Sequence, residues 1–139
     1  MSSPNIFKDH ARKSFSFLID LYGFREQALD KLDNEFSVNF ITSKTKIVIE
    51  GINWGLNSRV AIGSSIGKFE NYDLGDALTV FCPEHSLNET DFKKSQIEQL
   101  SLMASLLKEC VEPILLGDHS SFPKLAKIVK KRAKEFSRL

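Results

Sequence analysis

The stretch that decides the fold is Ser37–Gly63, which reads SVNFITSKTKIVIEGINWGLNSRVAIG. The pattern predicts three short strands, because the first run alternates apolar and polar residues and the second is rich in β-branched residues. The predicted strands are Ser37–Thr42, Lys46–Ile52 and Arg59–Gly63. A loop over Gly63–Asp73 is predicted to follow. The links between the strands are short, whereas parallel pairing would require a long crossover, so we expect an antiparallel meander.

A single amphipathic helix is predicted before the strands. Ser3 and Pro4 are typical of a helix start, because the missing amide proton of proline costs nothing in the first turn. Apolar residues then recur at helical spacing: Phe7, Ala11, Phe15, Leu18, Ile19 and Tyr22. Gly23 is expected to end the helix, with Phe24 folding back on its last turn. The polar stretch Arg25–Glu35 is predicted to be a loop with at most a short helical turn.

Helical spacing dominates the chain after the strands. Asp73–Phe81 is predicted to be either a short helix or a fourth strand, and its apolar spacing fits the helix better. Ser86, with Glu89 three residues later, forms a capping-box pattern that is expected to start a long helix. Pro113 removes a backbone hydrogen bond and is expected to kink or end that helix near Glu112.

The last predicted helix follows a link at Gly117–Ser121, with Ser120 or Ser121 as its cap. Its apolar stripe is Phe122, Leu125, Ala126, Val129, Ala133 and Phe136. Together the elements predict one α+β domain over residues 1–139. We expect an antiparallel meander of three or four strands, with an N-terminal helix and two long C-terminal helices packed mainly on one face.

Composition indicates an ordinary globular domain, with 42% hydrophobic and 27% charged residues. Eleven Phe against one Trp and two Tyr favour a substantial core. No apolar run is long enough to span a membrane, and the amino terminus lacks the apolar core of a signal peptide, so we expect a cytoplasmic protein without membrane contact. In that reducing compartment, Cys82 and Cys110 are expected to be free thiols.

Charge is distributed unevenly along the chain. The net charge is +1, but residues 123–139 carry seven Lys or Arg and one Glu. These cations are Lys124, Lys127, Lys130, Lys131, Arg132, Lys134 and Arg138. Such a helix could follow the phosphates of a nucleic acid, or contact a protein partner. A lysine-rich solvated face is the commoner explanation, and no exposed aromatic ladder accompanies the cations.

Three motifs suggest a binding or catalytic site, but a purely structural role explains each of them better. Gly63–Lys68 resembles a phosphate-binding loop, but it has three residues between its glycines instead of four and lacks the Ser or Thr after the lysine. Cys82 and His85 could join Cys110 and His119 in a zinc or thiol site, yet the spacing is not paired and a structural turn is favoured.

The third motif is an acidic residue beside a histidine. Asp9-His10 and Asp118-His119 invite an acid–base interpretation, but neither has a third partner, so surface pairs near helix ends are favoured. The sequence therefore predicts no catalytic, cofactor-binding or metal-binding residue.

Trp54 lies at a predicted strand end. A lone Trp there could anchor a protein partner, since Trp is enriched in binding hot spots. Covering the edge of the sheet is the favoured alternative.

The run from Phe17 to Ile62 resembles small bacterial proteins that neutralise toxins delivered between competing cells. The resemblance rests on short apolar motifs in the predicted first helix and the strands. These motifs are Phe17-Leu18, Tyr22-Gly23-Phe24, Ser37-Val38-Asn39-Phe40, Ile47-Val48-Ile49 and Val60-Ala61-Ile62. It implies a helix and a strand meander followed by further helices, in a non-enzymatic cytoplasmic protein that binds and blocks a partner.

We therefore expect an immunity-type inhibitor of a toxin or enzyme. The candidate partner-binding residues are Trp54, Lys124, Lys127, Lys130, Lys131 and Lys134. A nucleic-acid-binding protein that uses the basic C-terminal helix is the alternative. Inhibitors of nucleic-acid-cutting toxins are often strongly acidic, and here such a surface would have to come from residues 26–35 and 70–98.

Overall fold

The computed structural model describes residues 3–31, 33–52 and 56–137. The strands in this part of the chain are β1 (Arg25–Gln27), β2 (Ser37–Ile41), β3 (Thr45–Ile52), β4 (Asn57–Ser64) and β5 (Tyr72–Asp73). The helices are α1 (Pro4–Ser14), α2 (Phe17–Tyr22), α3 (Leu74–Phe81), α4 (Glu89–Phe92), α5 (Gln96–Cys110), α6 (Glu112–Leu115) and α7 (Phe122–Ser137).

The strands form one antiparallel sheet in the order β1-β2-β3-β4-β5, which confirms the predicted meander and the α+β class. The sheet has five strands where three or four were expected. β1 lies in the predicted loop Arg25–Glu35, because its polar residues pair with the edge of β2 through the backbone alone. β5 is the end of the predicted loop Gly63–Asp73. The sheet therefore has two short edge strands that carry almost no hydrophobic signal.

The core lies between the sheet and the helices. The inward-facing strand residues are Val38, Phe40, Ile47, Ile49, Val60 and Ile62, all at most 1% exposed. Gly51 follows the same alternation, and a side chain there would meet Phe7 of α1 and Gln96 of α5. Helices from both ends of the chain thus cover this face.

The opposite face of the sheet is covered differently. Arg59 donates to Glu50, Asp73 and the side chain of Asn71, at distances between 2.9 and 3.1 Å. The ring of Phe69 lies against Gly63, where a Cβ atom would come within 2.6 Å of a ring carbon. The ion-pair network of Arg59 and the ring of Phe69 thus lie on the face that the helices leave.

The predicted first helix is two helices. The last four-residue hydrogen bond of α1 runs from the Phe15 amide to Ala11 O. The backbone hydrogen bonds that follow span three residues, as from Leu18 N to Phe15 O at 3.0 Å. This tighter turn redirects the chain and buries both Phe15 and Leu18. The predicted end is confirmed, since Gly23 is left-handed with φ 71° and the Phe24 amide donates to Leu18 O at 2.9 Å.

The predicted helix Asp73–Phe81 is confirmed as α3, but the long helix that follows begins differently from the prediction. The capping box is formed by Asn88 and Asp91 around the short helix α4, and not by Ser86 and Glu89. α5 then starts behind the Ser95 cap. The sequence around Ser86 matches the capping pattern, but it lacks the apolar run immediately behind it that would build a helix there.

Gln99 fastens the start of α5 to the sheet. Its side chain is 1% exposed, accepts from the Ser58 amide at 2.8 Å and donates to Lys94 O at 2.9 Å. A buried amide with partners on both sides fixes how α5 lies across β4.

α5 ends at Cys110, and Pro113 lies in the first turn of α6, where its missing amide proton is tolerated. From α6, Glu112 accepts a 2.5 Å hydrogen bond from the hydroxyl of Tyr22. This bond, followed by burial and the charge of Glu112, raises the pKa of Tyr22 to about 12. The end of α2 is thereby joined to α6.

Cys82 and Cys110 form a disulfide, with Cα atoms 5.8 Å apart, so the expectation of free thiols is wrong. The bond joins the residue after α3 to the last residue of α5. A spacing of 28 residues carries no sign of this proximity, which arises only because α3 packs on α5.

Candidate partner-binding surface

α7 starts on the body of the protein. Phe122 and Leu125 are buried, and the ring of Phe122 meets Tyr72 edge-on at 5.2 Å. Ser121 precedes the helix as predicted, and its carbonyl accepts from the amides of Lys124 and Leu125. Its hydroxyl has no partner in the described residues, so the predicted side-chain cap is absent there. Packing of the first two turns therefore holds the helix.

His119 supports the same end of α7. Its ring stacks on Phe122 at 4.2 Å, and its Nε2 lies 2.8 Å from Thr45 Oγ1. The Thr45 hydroxyl donates its only proton to Ile114 O at 2.9 Å, so Nε2 must donate to Thr45. Asp118 accepts from the Ser120 amide, and hydrogen bonds from Ser120 lower the pKa of Asp118. The Asp118-His119 pair thus has a structural explanation.

The second half of α7 presents its side chains to solvent. Every residue from 129 to 137 is exposed, including Val129 at 41% and Phe136 at 75%. Residues 129, 133 and 136 follow the spacing i, i+4 and i+7 and therefore share one face. The apolar stripe predicted from sequence is continuous, but only its first half is covered in the described chain.

A cleft of about 430 Å³ opens beside this stripe, between α7 and the segment that leads into β5. It is lined by Lys68, Phe69, Glu70, Tyr72, Ala126, Val129 and Lys130. Its walls are mainly apolar, with two lysines at the rim. None of the cleft residues outside α7 was among the predicted site residues.

The polar groups of the cleft differ in whether they already form a hydrogen bond or an ion pair within the protein. Glu70 accepts from the Ser64 amide at 2.7 Å, which holds it against the loop. Burial, and then the charge of Glu70, raises the pKa of Tyr72, so its hydroxyl stays protonated. Lys68 and Lys130 form no ion pair with any residue that the structure describes.

Arg132 is the cation of α7 that has a partner. It forms an ion pair with Asp76 of α3, whose side chain is 10% exposed and whose Oδ2 has no hydrogen-bond partner in the described residues. This pair holds the distal half of α7 beside α3.

The predicted lysines Lys124, Lys127, Lys130, Lys131 and Lys134 are all exposed on α7, without an ion pair among the described residues. Trp54, the other predicted site residue, and Arg138 lie outside the described residues. The structure thus brings the five lysines together on one helix and leaves Trp54 untested.

The resemblance to a phosphate-binding loop is explained by internal bonding. The Ser64 hydroxyl donates to Ile66 O at 2.9 Å and accepts from the Ile66 amide at 3.1 Å. Gly67 adopts a left-handed φ of 74°, which turns the chain so that Lys68 reaches the cleft. The loop closes on itself and shapes one wall of the cleft.

The disulfide changes the chemistry expected of Cys82 and Cys110. A zinc site or a cysteine nucleophile requires a thiolate, which neither sulfur can supply while they are bonded to each other. Among the described residues, no group of three or more His, Cys, Asp or Glu side chains has the arrangement of a metal site. In the same part of the chain, every helix falls short of the length and apolarity needed to cross a membrane.

Comparisons with known proteins find no family model, no curated protein and no solved structure that matches the chain. Apart from Lys130, the cleft residues had no individual signal in the sequence. Phe69 and Tyr72 lay in a predicted loop, whereas Ala126 and Val129 were two members of the predicted apolar stripe of the last helix. The one clue to the cleft in the sequence was that the apolar stripe of the last helix continues past the residues that pack on the core.

Proposed function

We propose that this chain is a non-enzymatic binding protein, an immunity-type inhibitor that binds and blocks a toxin or enzyme partner. The observation that carries the proposal is the distal half of α7, which presents Val129 and Phe136 to solvent among lysines that have no ionic partner in the described chain. Large apolar side chains aligned along one helix face and rimmed by charge are typical of a surface that meets another protein.

The site of action in this proposal is the cytoplasm, where the inhibitor would meet a toxin that has entered the cell. The Cys82–Cys110 disulfide bears on this location, because cytoplasmic thiols are kept reduced. Alkylation of freshly lysed cells followed by mass spectrometry measures whether the bond is present in the cell. A fully blocked dithiol would agree with the cytoplasmic location, and a disulfide would contradict it.

The test of the inhibitor is rescue. We expect the gene to lie just downstream of a large toxin gene, and co-expression of this chain to restore the growth of cells that make the terminal domain of that toxin. Replacing Val129 and Phe136 by Asp should abolish the rescue while the far-ultraviolet circular dichroism spectrum stays the same, since both side chains are exposed. A solitary gene with no rescued toxin would remove the proposal.

Nucleic-acid binding is the second candidate, and the observation that favours it is a set of five exposed lysines on one helix, none of which forms an ion pair with a described residue. Its test is retention on heparin or on mixed-sequence RNA, with elution as salt rises. Replacing Lys130 and Lys131 by Glu should then abolish retention. Flow-through of the wild-type protein at low salt would exclude this function.

A further inference from the structure

We propose that the cleft between α7 and residues 68–72 binds an acidic, amphipathic segment of a protein partner. The apolar side chains of that segment would lie on Val129 and Phe136 of α7, and its carboxylates would face Lys68 and Lys130. This inference rests on the proposed inhibitor function and names the surface and the chemistry of the partner segment.

The first step is the shape of the apolar surface. Ala126 and Val129 form one wall of the cleft, and Phe69 and Tyr72 form the other. The wall on α7 continues to Phe136, two helical turns and about 10 Å further along the axis. A surface of this length fits an extended or helical segment better than a compact small molecule.

The second step is charge. Lys130 and Lys134 lie one turn apart on α7, and Lys68 lines the cleft on the wall opposite Lys130. None of the three has an ionic partner in the described chain. The one acidic group of the cleft, Glu70, is turned to the Ser64 amide. The surface is therefore complementary to carboxylates.

Charge also argues against a second copy of the chain as the occupant. Pairing two copies through Val129 and Phe136 would place the lysines of one α7 against those of the other. Like charges brought together at an interface repel each other, so self-association through this face is unfavourable.

A nucleic acid fits the same surface less well. Single-stranded binding sites stack bases on open aromatic faces. Here the Phe69 ring lies against Gly63 with the ammonium of Lys46 5.2 Å from its centroid, and Tyr72 packs on Phe122. Phosphates also gain nothing from Val129 and Phe136, which a protein segment would bury.

The experiment selects random peptides, long enough for about four helical turns, from a phage-display library on the immobilised wild-type protein. We expect selected peptides to combine Asp or Glu with apolar residues. Their affinity should fall by about tenfold or more in the double variant Lys68→Glu, Lys130→Glu. The matched control is Lys31→Glu, Lys93→Glu, which changes the net charge equally but lies away from the cleft and should keep wild-type affinity.

Three results would overturn the inference: selected peptides that are neutral or basic, acidic peptides that bind the double variant as tightly as wild type, or RNA that binds more tightly than any peptide and loses affinity in the double variant. Dimerisation of the wild type in sedimentation, abolished by Phe136→Asp, would also overturn it. The rescue assay separates the two proposals. If the double variant still rescues cells, the proposed binding site is contradicted and the inhibitor function is not. If peptides bind in a charge-dependent way but no toxin is rescued, the inhibitor function is contradicted and the binding site is not.

Discussion

The two halves of α7 have the same apolar spacing and different surroundings. Phe122 and Leu125 in the proximal half are buried against the body, whereas residues 129–137 in the distal half are exposed. A period of 3.6 residues fixes which side chains share a helix face, but it carries no information about what covers that face. The difference is therefore a property of the tertiary structure, and it is why we propose the distal half as the partner-binding surface.

The largest expected effect sets Leu125→Ala against Phe136→Ala. Leu125 is fully buried, so its truncation should lower the free energy of unfolding by about 2–5 kcal/mol. Phe136 is 75% exposed, so its truncation should change that free energy by no more than about 0.5 kcal/mol. Urea denaturation followed by circular dichroism measures both.

These two variants are the simplest test of the difference between the two halves of α7. Equal losses in the two variants would mean that the distal half is packed in solution, and its apolar side chains would then have no free face to offer a partner.

The next effect concerns the support beneath the proximal half. α7 packs on α3, and the Cys82–Cys110 disulfide ties the end of α3 to α5. Reduction should lower the free energy of unfolding by about 2–4 kcal/mol, because the unfolded chain regains the freedom of a closed loop. Denaturation with and without dithiothreitol measures this loss. The Cys82→Ala, Cys110→Ala variant is the control and should not respond to dithiothreitol; an unchanged wild type would refute the prediction.

A smaller effect is expected at the ion pair that reaches the distal half. Arg132→Gln leaves the buried carboxylate of Asp76 without its cation and should cost about 1–2 kcal/mol in unfolding free energy. The neighbouring Lys131 has no ionic partner in the described chain, so Lys131→Gln should cost less than about 0.5 kcal/mol. In an Asp76→Asn background the cost of Arg132→Gln should shrink, and an undiminished cost would show that the pair is not the cause.

The smallest effect contrasts the unpaired lysines with a paired cation. Arg12 donates two hydrogen bonds to Glu26, at 2.8 and 2.9 Å, and this contact lowers the pKa of Glu26. The Glu26 contribution is present above its unfolded pKa of about 4.3 and is lost as pH falls through the lower folded pKa. Both groups are solvent-exposed, so we expect only about 0.2–1 kcal/mol.

Glu26→Gln should remove that contribution, so its stability deficit should be present at about pH 7 and should shrink as pH falls below the unfolded pKa of about 4.3. Lys134→Gln has no such partner and should run parallel to wild type at every pH. If the stability deficit of Glu26→Gln persists in acid, its cause is lost packing and not lost charge.

The sequence predicted most of the elements because their apolar residues repeat. The strands around Val38, Ile49 and Val60, and the glycine that ends α2, lie where the pattern placed them. β1 could not be predicted because Arg25, Glu26 and Gln27 pair only through the backbone. The same limit applies to β5, whose two residues form a ladder only after β4 exists.

The candidate surface was half predictable. The lysines of α7 stood out by charge, and the stripe from Phe122 to Phe136 by spacing. The cleft could not be predicted, because Phe69 and Tyr72 reach it through a loop whose path depends on Gly63 and Gly67. The disulfide was missed because contact between α3 and α5 is a tertiary event with no local trace.

The most direct test of the assignment of α7 is amide hydrogen exchange on the wild-type protein, alone and with a selected acidic peptide. We predict that the peptide slows exchange in residues 126–137 and 66–72, and leaves the amides of α1 and β2 unchanged, because only the distal half and its cleft gain a partner. Slower exchange elsewhere in the protein, with residues 126–137 unaffected, would contradict the account.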